Sequence, residues 1–197
     1  MVNELTPDKF LSHSEAKRLI TIVEDKAAAD RAKGRLVWPR IEMMVRLALG
    51  TGLRVSELTN VMVMDCNLDK EPCVFVANGK GNKSRHVFIS CELKNQIRNY
   101  IKSNALAPDD FLLNVNGRKY STMALQKQFK KATRAAGLNP EYSIHATRHT
   151  FGTQLYERTK DLRMVQRQLG HSSIATTTIY AGVSKERTLE AMNGLYK

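Results

Sequence analysis

One segment of this chain departs from the pattern that governs the rest. Nearly everywhere the apolar residues recur at helical spacing, but between Cys73 and Ile89 they do not. Cys73–Ala77 and Arg85–Ile89 are β-branched or aromatic runs flanking Asn78-Gly79-Lys80-Gly81-Asn82. That pattern reads as a β-hairpin closed by a glycine-containing turn. Nothing suggests alternating βαβ units. The expected fold class is therefore mainly α with a small antiparallel β-sheet, an α+β arrangement.

The helices are marked by their caps and apolar stripes. Ser12 or Ser14 can cap a helix carrying Leu19, Ile20 and Val23, and Lys26–Lys33 either extends it or forms an exposed connection. After Pro39, the set Ile41, Met44, Val45, Ala48 and Leu49 falls at helical spacing. Gly50 and Gly52 break that helix and another starts around Val55, which puts Arg54 at a helix–helix junction. Glu92–Asn104 presents Leu93, Ile97, Tyr100 and Ile101 on one face. Ser121 caps a helix with Leu125, Phe129, Ala132 and Ala136 as its stripe, ended by Gly137. A helix from about Ser143 carries His145 and Arg148, and Asp161 caps one that ends before Gly170.

The charge narrows the partners. Lys+Arg number 31 against 19 Asp+Glu, a formal +12, which points to a polyanion and most commonly to nucleic acid. The cations are spread along the chain, with clusters at Lys80–Arg85, Arg118-Lys119 and Lys127–Arg134, so they belong to a folded basic surface rather than a tail. Three cysteines, Cys66, Cys73 and Cys91, form neither a disulfide framework nor a zinc-ligand spacing. No apolar run approaches the ~18 residues of a membrane span, and Glu4, Asp8 and Lys9 stand where a signal peptide would be apolar. A cytoplasmic, nucleoid-associated protein with no membrane partner is expected.

Four sequence boxes carry candidate chemistry. They are Thr51-Gly52-Leu53-Arg54-Val55-Ser56-Glu57-Leu58, then Gly79-Lys80-Gly81-Asn82-Lys83, then His145-Ala146-Thr147-Arg148-His149, and last Leu169-Gly170-His171-Ser172-Ser173 with Tyr180 nine positions after His171. His145 and Arg148, at i and i+3, are neighbours on one helix face. Singly, each box is ordinary; their order and spacing together are not. The chain resembles the catalytic domain of the tyrosine recombinase (phage integrase) family across roughly residues 10 to 185. The resemblance implies the fold of the DNA breaking-rejoining enzymes.

It also implies roles. Arg54 and Arg148 would clamp a scissile phosphate, since planar guanidiniums stay charged and donate in forks. Tyr180 would attack the phosphorus, displace the 5′-hydroxyl and leave a 3′-phosphotyrosyl link. A free tyrosine titrates near ~10 and needs help to react at neutral pH; His145 is the residue expected to take its proton. Lys80 resembles the family's general acid, with Lys83 the alternative on the same loop. His171 would donate a hydrogen bond to the phosphate, and Glu57 would orient a neighbouring cation or serve as a plain surface salt-bridge partner. No carboxylate cluster is arranged to hold Mg²⁺. The reaction needs neither metal, ATP nor another cofactor, because the covalent link conserves the energy of the phosphodiester.

The implied function is site-specific recombination of double-stranded DNA by an integrase- or invertase-like enzyme that is a monomer alone and a tetramer on its site. The alternatives are a type IB topoisomerase- or resolvase-like strand transferase and a non-catalytic DNA-binding regulator. Lys83, Arg85, Lys127, Lys130, Lys131 and Arg134 are the expected DNA contacts. Residues 1–10 form a tail or linker remnant, 11–183 the catalytic domain, and 184–197 a tail helix with Leu189, Met192 and Leu195 that docks on a neighbouring protomer. Thr147, Lys160 and Ala181 depart from the family's usual residues; the first two are expected to be packing variations. Most members carry an N-terminal core-binding domain, so the chain is expected to be either an excised fragment or a short single-domain member.

Overall fold

The computed structural model describes residues 9–77, 84–173 and 176–180. Lys80, Lys83, Ala181 and the 184–197 tail lie outside the described residues, as does nearly all of the 1–10 segment.

Helix α1 (His13–Ala32) starts at Ser12, whose hydroxyl accepts the Glu15 amide while the Glu15 carboxylate accepts the Ser12 amide. This reciprocal capping box satisfies two otherwise orphaned donors. The helix runs through Lys26–Ala32, so the Ala-rich stretch extends it. Helix α2 (Val37–Thr51) begins two residues before Pro39 rather than after it. A proline in the first turn is tolerated because the amide it lacks has no intrahelical acceptor there.

Helix α2 is the centre of the molecule. Ile41, Met43, Met44, Val45, Leu47 and Ala48 are all buried, so the helix is apolar on nearly every side. It is flanked by α1, by α4 (Cys91–Ser103), by α5 (Thr122–Ala135) and by α6 (His145–Thr159). Its end is sharp. Gly52 has φ +62°, and a Cβ there would meet the Phe151 ring at 2.6 Å and Leu169 at 2.8 Å, so only glycine fits both the turn and the space. The short α3 (Val55–Leu58) follows at once.

A 3-10 turn at Val63–Asp65 leads into β1 (Cys66–Asn67). With β2 (Cys73–Val76) and β3 (Arg85–Phe88) it forms an antiparallel sheet of order β1-β2-β3, in which Val76 pairs with Arg85. The expected hairpin is therefore present, with one extra short strand. A second ribbon, β4 (Asn114–Val115) with β5 (Arg118–Lys119), has no counterpart in the sequence expectations. Its turn is Asn116-Gly117, both with positive φ (53° and 77°), the backbone a tight hairpin demands.

Helices α4, α5 and α7 (Leu162–Leu169) are capped by Ser90, Ser121 and Asp161, whose side chains accept first-turn amides. Lys160 ends α6 in the left-handed conformation (φ 55°), a position where glycine is favoured, so its departure concerns the backbone rather than packing. Thr147 is buried, with its hydroxyl donating to the Ile144 carbonyl (2.7 Å). Besides the main core, a small separate cluster of Val165, Leu169, Tyr180, Phe151, Leu155, Tyr156 and Ile179 joins α6 and α7 to a 3-10 turn at Thr178–Tyr180. Among the described residues no helix is long and apolar enough to cross a membrane.

Candidate active site

Glu57 organises one half of the site. As the third residue of α3 it reaches back, and its carboxylate accepts the Arg54 amide (2.8 Å) and Arg54 Nη1 (3.0 Å). From β3, Arg85 adds a two-pronged contact, Nη1 to Oε1 at 2.9 Å and Nη2 to Oε2 at 3.0 Å. Glu57 is only 7% exposed. Burial alone would raise its pKa, but hydrogen bonds from Arg85 and the Arg54 amide and the charges of both arginines outweigh it and hold the carboxyl below its ordinary value. The carboxylate is thus a buried bridge between two guanidiniums rather than a plain surface partner.

Arg85 needs a correction. It was expected among the DNA contacts, yet its side chain is turned inward, gripping Glu57 while Nε donates to the Gln168 carbonyl (3.2 Å). Its reach ties β3 to α3 and to the end of α7. Two other expected contacts are also engaged within the fold. Lys130 donates to the Pro140 carbonyl, and the Lys131 ammonium lies 4.9 Å from the Trp38 ring centre, which also has the Lys26 ammonium at 5.2 Å. Lys127 and Arg134 on the same helix are exposed.

Arg148, 3% exposed, is fixed from below. Nη1 donates to the Gly52 carbonyl and Nη2 to the Leu169 carbonyl, both at 2.7 Å. These carbonyls end α2 and α7, where the helix dipoles are negative, so a buried cation is stabilised there. Burial, then the nearby charge of Arg54, bring its pKa down to about 10, which still leaves it charged at neutral pH. Three guanidiniums, Arg54, Arg85 and Arg148, stand against the one carboxylate of Glu57, so this cluster keeps a net positive charge that suits a phosphate.

Tyr180 sits against this cluster, 7% exposed. Its ring lies parallel to that of His171 (centroids 6.4 Å apart, 8° between planes). His171 Nδ1 is 3.0 Å from the hydroxyl of buried Thr177. Burial pushes the Tyr180 phenol up to about 12, only partly offset by Arg148 and Arg54, so it is protonated at rest. His145 is depressed by burial and by Arg148 and Arg54; His171 is pushed down to about 4, first by burial and then by the same arginines, His149 and Arg85.

The structure therefore gathers Arg54, Arg148, His145, His171, Glu57 and Tyr180 into one site. It differs on the expected partner of the phenol. The ring nitrogen within hydrogen-bond distance of the Tyr180 hydroxyl is His149 Nδ1, at 3.3 Å, not one of His145. His145 stands behind it, edge-on to the His149 ring with centroids 4.8 Å apart. The sequence reading also passed over Gly152, whose absent side chain makes room for the tyrosine: a Cβ there would approach the Tyr180 ring to 2.6 Å. The signal was available. Residues 145, 148, 149 and 152 repeat at i, i+3, i+4 and i+7, the spacing of one helix face.

Known proteins share this architecture. The chain is 34% identical to the tyrosine recombinase XerA of Pyrococcus furiosus over 192 residues, covering 95% of this chain and 62% of that one. It is 32% identical to the tyrosine recombinase XerC of Nitrobacter winogradskyi, covering 90% of this chain and 56% of that one. It thus spans about three fifths of the length of such relatives. Among solved structures, the XerA recombinase superimposes with a TM-score of 0.74 at 28% identity, over 95% of this chain and 65% of that one. The XerH site-specific recombinase bound to its difH substrate, in a pre-cleavage complex, gives 0.76 at 27% identity, over the whole of this chain and 56% of that one. With the family profile matched from residue 9 to residue 187, the chain belongs to the phage integrase family.

Proposed function

We propose that this chain is the catalytic region of a site-specific DNA recombinase, cutting and rejoining strands of double-stranded DNA through a 3′-phosphotyrosyl intermediate without metal or ATP. One observation carries the reading. Two arginines from separate elements, Arg54 and Arg148, are held by protein acceptors beside a buried tyrosine whose ring is stacked on His171. Catalysis of phosphoryl transfer is mostly positioning and charge stabilisation, and prepositioned guanidiniums supply both.

In this reading Arg54 and Arg148 bind the non-bridging oxygens of the scissile phosphate. His171, with Nδ1 engaged by Thr177, donates from its other nitrogen. Tyr180 attacks the phosphorus. Lys80, or Lys83 on the same loop, protonates the departing 5′-oxygen. Glu57 acts through Arg54, as a positioning residue. Lys127 and Arg134 make backbone contacts with DNA, and Lys130 and Lys131 add positive field to the same helix. Protomers assemble as a tetramer on two duplexes, residues 11–183 acting as the catalytic domain and the 184–197 tail docking on a neighbour. The protein works in the cytoplasm, on nucleoid DNA.

The test uses a duplex nicked near the scissile phosphate, so that the covalent product accumulates. A slow-migrating adduct on a denaturing gel, absent for Tyr180→Phe, is the expected result. Binding to such duplexes without any adduct would sink the enzymatic reading.

A further inference from the structure

A phenol shifted up to about 12 does not lose its proton unaided at neutral pH. The proton acceptor nearest by residue role was His145, yet among the described residues the imidazole nitrogen facing the Tyr180 hydroxyl is Nδ1 of His149. The two rings are themselves tilted at 51°, with centroids 6.1 Å apart, so the contact is made by the nitrogen and not by stacking.

His149 also lines a cleft of about 290 Å³, together with Lys9, Glu141, Tyr142, Ser143, His145 and Ala146. Lys9, Glu141 and Ser143 give it charged and polar groups, and it is large enough for several waters, each taking roughly 30 Å³.

Building on the recombinase reading, we propose that His149 takes the Tyr180 proton on Nδ1 during strand cleavage and holds it, as an imidazolium, until the strands are rejoined. In the step, the Tyr180 O–H bond breaks and its proton goes to His149 Nδ1. The phenolate oxygen bonds to phosphorus as the P–O5′ bond breaks, and the 5′-oxygen keeps that electron pair and is protonated by the general acid. Rejoining runs in reverse, with the imidazolium returning a proton to the departing phenolate.

The surroundings support an acceptor. Burial, then the charges of His145, Arg148 and Lys9, push His149 down to about 4, so it is neutral in the resting protein. The groups facing it are His145 and Arg148 on its own helix, Lys9 ahead of α1, Tyr180 from the 3-10 turn, and Glu141 at the cleft. A bound phosphodiester adds negative charge beside Arg148, which lessens their repulsion of an imidazolium and makes His149 a stronger base when substrate is present.

The experiment rebuilds, as nicked duplexes, the sequences that the full chain retains from a random-sequence duplex library, and follows adduct formation in a single turnover. His149→Gln is expected to slow adduct formation by about 10²–10⁴-fold, the usual range for losing a general base, while DNA affinity stays within about twofold because its Nδ1 is engaged with the phenol. Replacing Tyr180 with a ring-fluorinated tyrosine, which ionises more easily, is expected to restore His149→Gln far more than it accelerates the unsubstituted chain. A residue that only shapes the pocket would not show this selective rescue.

A full-rate His149→Gln, or one that fluorination does not selectively rescue, overturns the inference while the adduct of the unsubstituted chain upholds the recombinase reading. No adduct from the unsubstituted chain overturns both. Should His149→Gln fail to fold, nitrogen NMR of the unsubstituted chain decides: His149 neutral, protonated on Nε2, with an Nδ1 signal that shifts in Tyr180→Phe supports the proposal. An Nδ1 signal indifferent to that substitution overturns it.

Discussion

Two sets of cations on this molecule are held in opposite ways. Arg54, Arg85 and Arg148 are locked by Glu57 and by helix-end carbonyls, with little or no side-chain freedom left. Lys127 and Arg134 on α5 stand in solvent. A locked guanidinium meets charge that develops at one point without reorganising, which is what a transition state rewards. An exposed cation contributes to a broad field that attracts DNA and is screened by salt. In the recombinase reading the same residue types serve chemistry in one place and encounter in the other, and burial is what separates them.

The sharpest break in that contrast is Arg148→Lys, which keeps the charge but not the fork that spans the Gly52 and Leu169 carbonyls. Adduct formation is expected to fall by about 10²–10³-fold, the cost of one lost oxyanion donor, measured in a single turnover. A lysine that sustains the full rate would mean that charge alone suffices. Glu57→Gln comes next. It removes the countercharge from two guanidiniums and is expected to cost about 3 kcal/mol, the low end for a broken buried pair because Arg54 keeps a quarter of its side chain exposed. Urea unfolding with an unchanged slope would measure it, and a loss no larger than that of an exposed-site variant would contradict the bridge.

Acid should distinguish the two sets further. His149 and His171 fall from an ordinary 6.5 to about 4 in the fold, chiefly through burial. The unfolded chain therefore binds protons between these values while the folded one does not, so their contribution to stability is full above pH 6.5 and is lost as pH falls toward 4. Thermal melts across that window are expected to decline, and His149→Gln with His171→Gln to flatten the decline. Truncating Lys127 and Arg134 should leave it in place. The smallest effect is expected from those truncations themselves, with stability within about 0.5 kcal/mol of the parent. Each is expected to lower the log–log salt slope of DNA binding by about 0.9; an unchanged slope would remove α5 from the DNA contacts.

What could be read in the sequence was what neighbours in sequence decide. The caps at Ser12, Ser121 and Asp161, the Gly52 turn and the β2–β3 hairpin are local, and their residue types declare them. The partner of Arg85 was not local: Glu57 lies 28 residues away and Gln168 lies 83 away, so only the folded chain reveals that this cation faces inward. His149 failed differently. Its place on the face of His145 and Arg148 was readable, but which of two imidazoles meets a tyrosine 31 positions downstream depends on how the 3-10 turn docks. The Asn116-Gly117 ribbon was legible from its turn alone and was overlooked because its strands are two residues long.

The stripe 145, 148, 149, 152 has a mechanical consequence. A single helix supplies an imidazole, the buried guanidinium of Arg148, the ring beside the phenol and the gap that seats Tyr180. Four turns of backbone hydrogen bonds make it a stiff rod, so these groups translate and tilt together whatever the domain does around DNA. Any change in the spacing of the site relative to that rod falls to groups mounted on other elements: Arg54 at the α3 junction and Arg85 on β3.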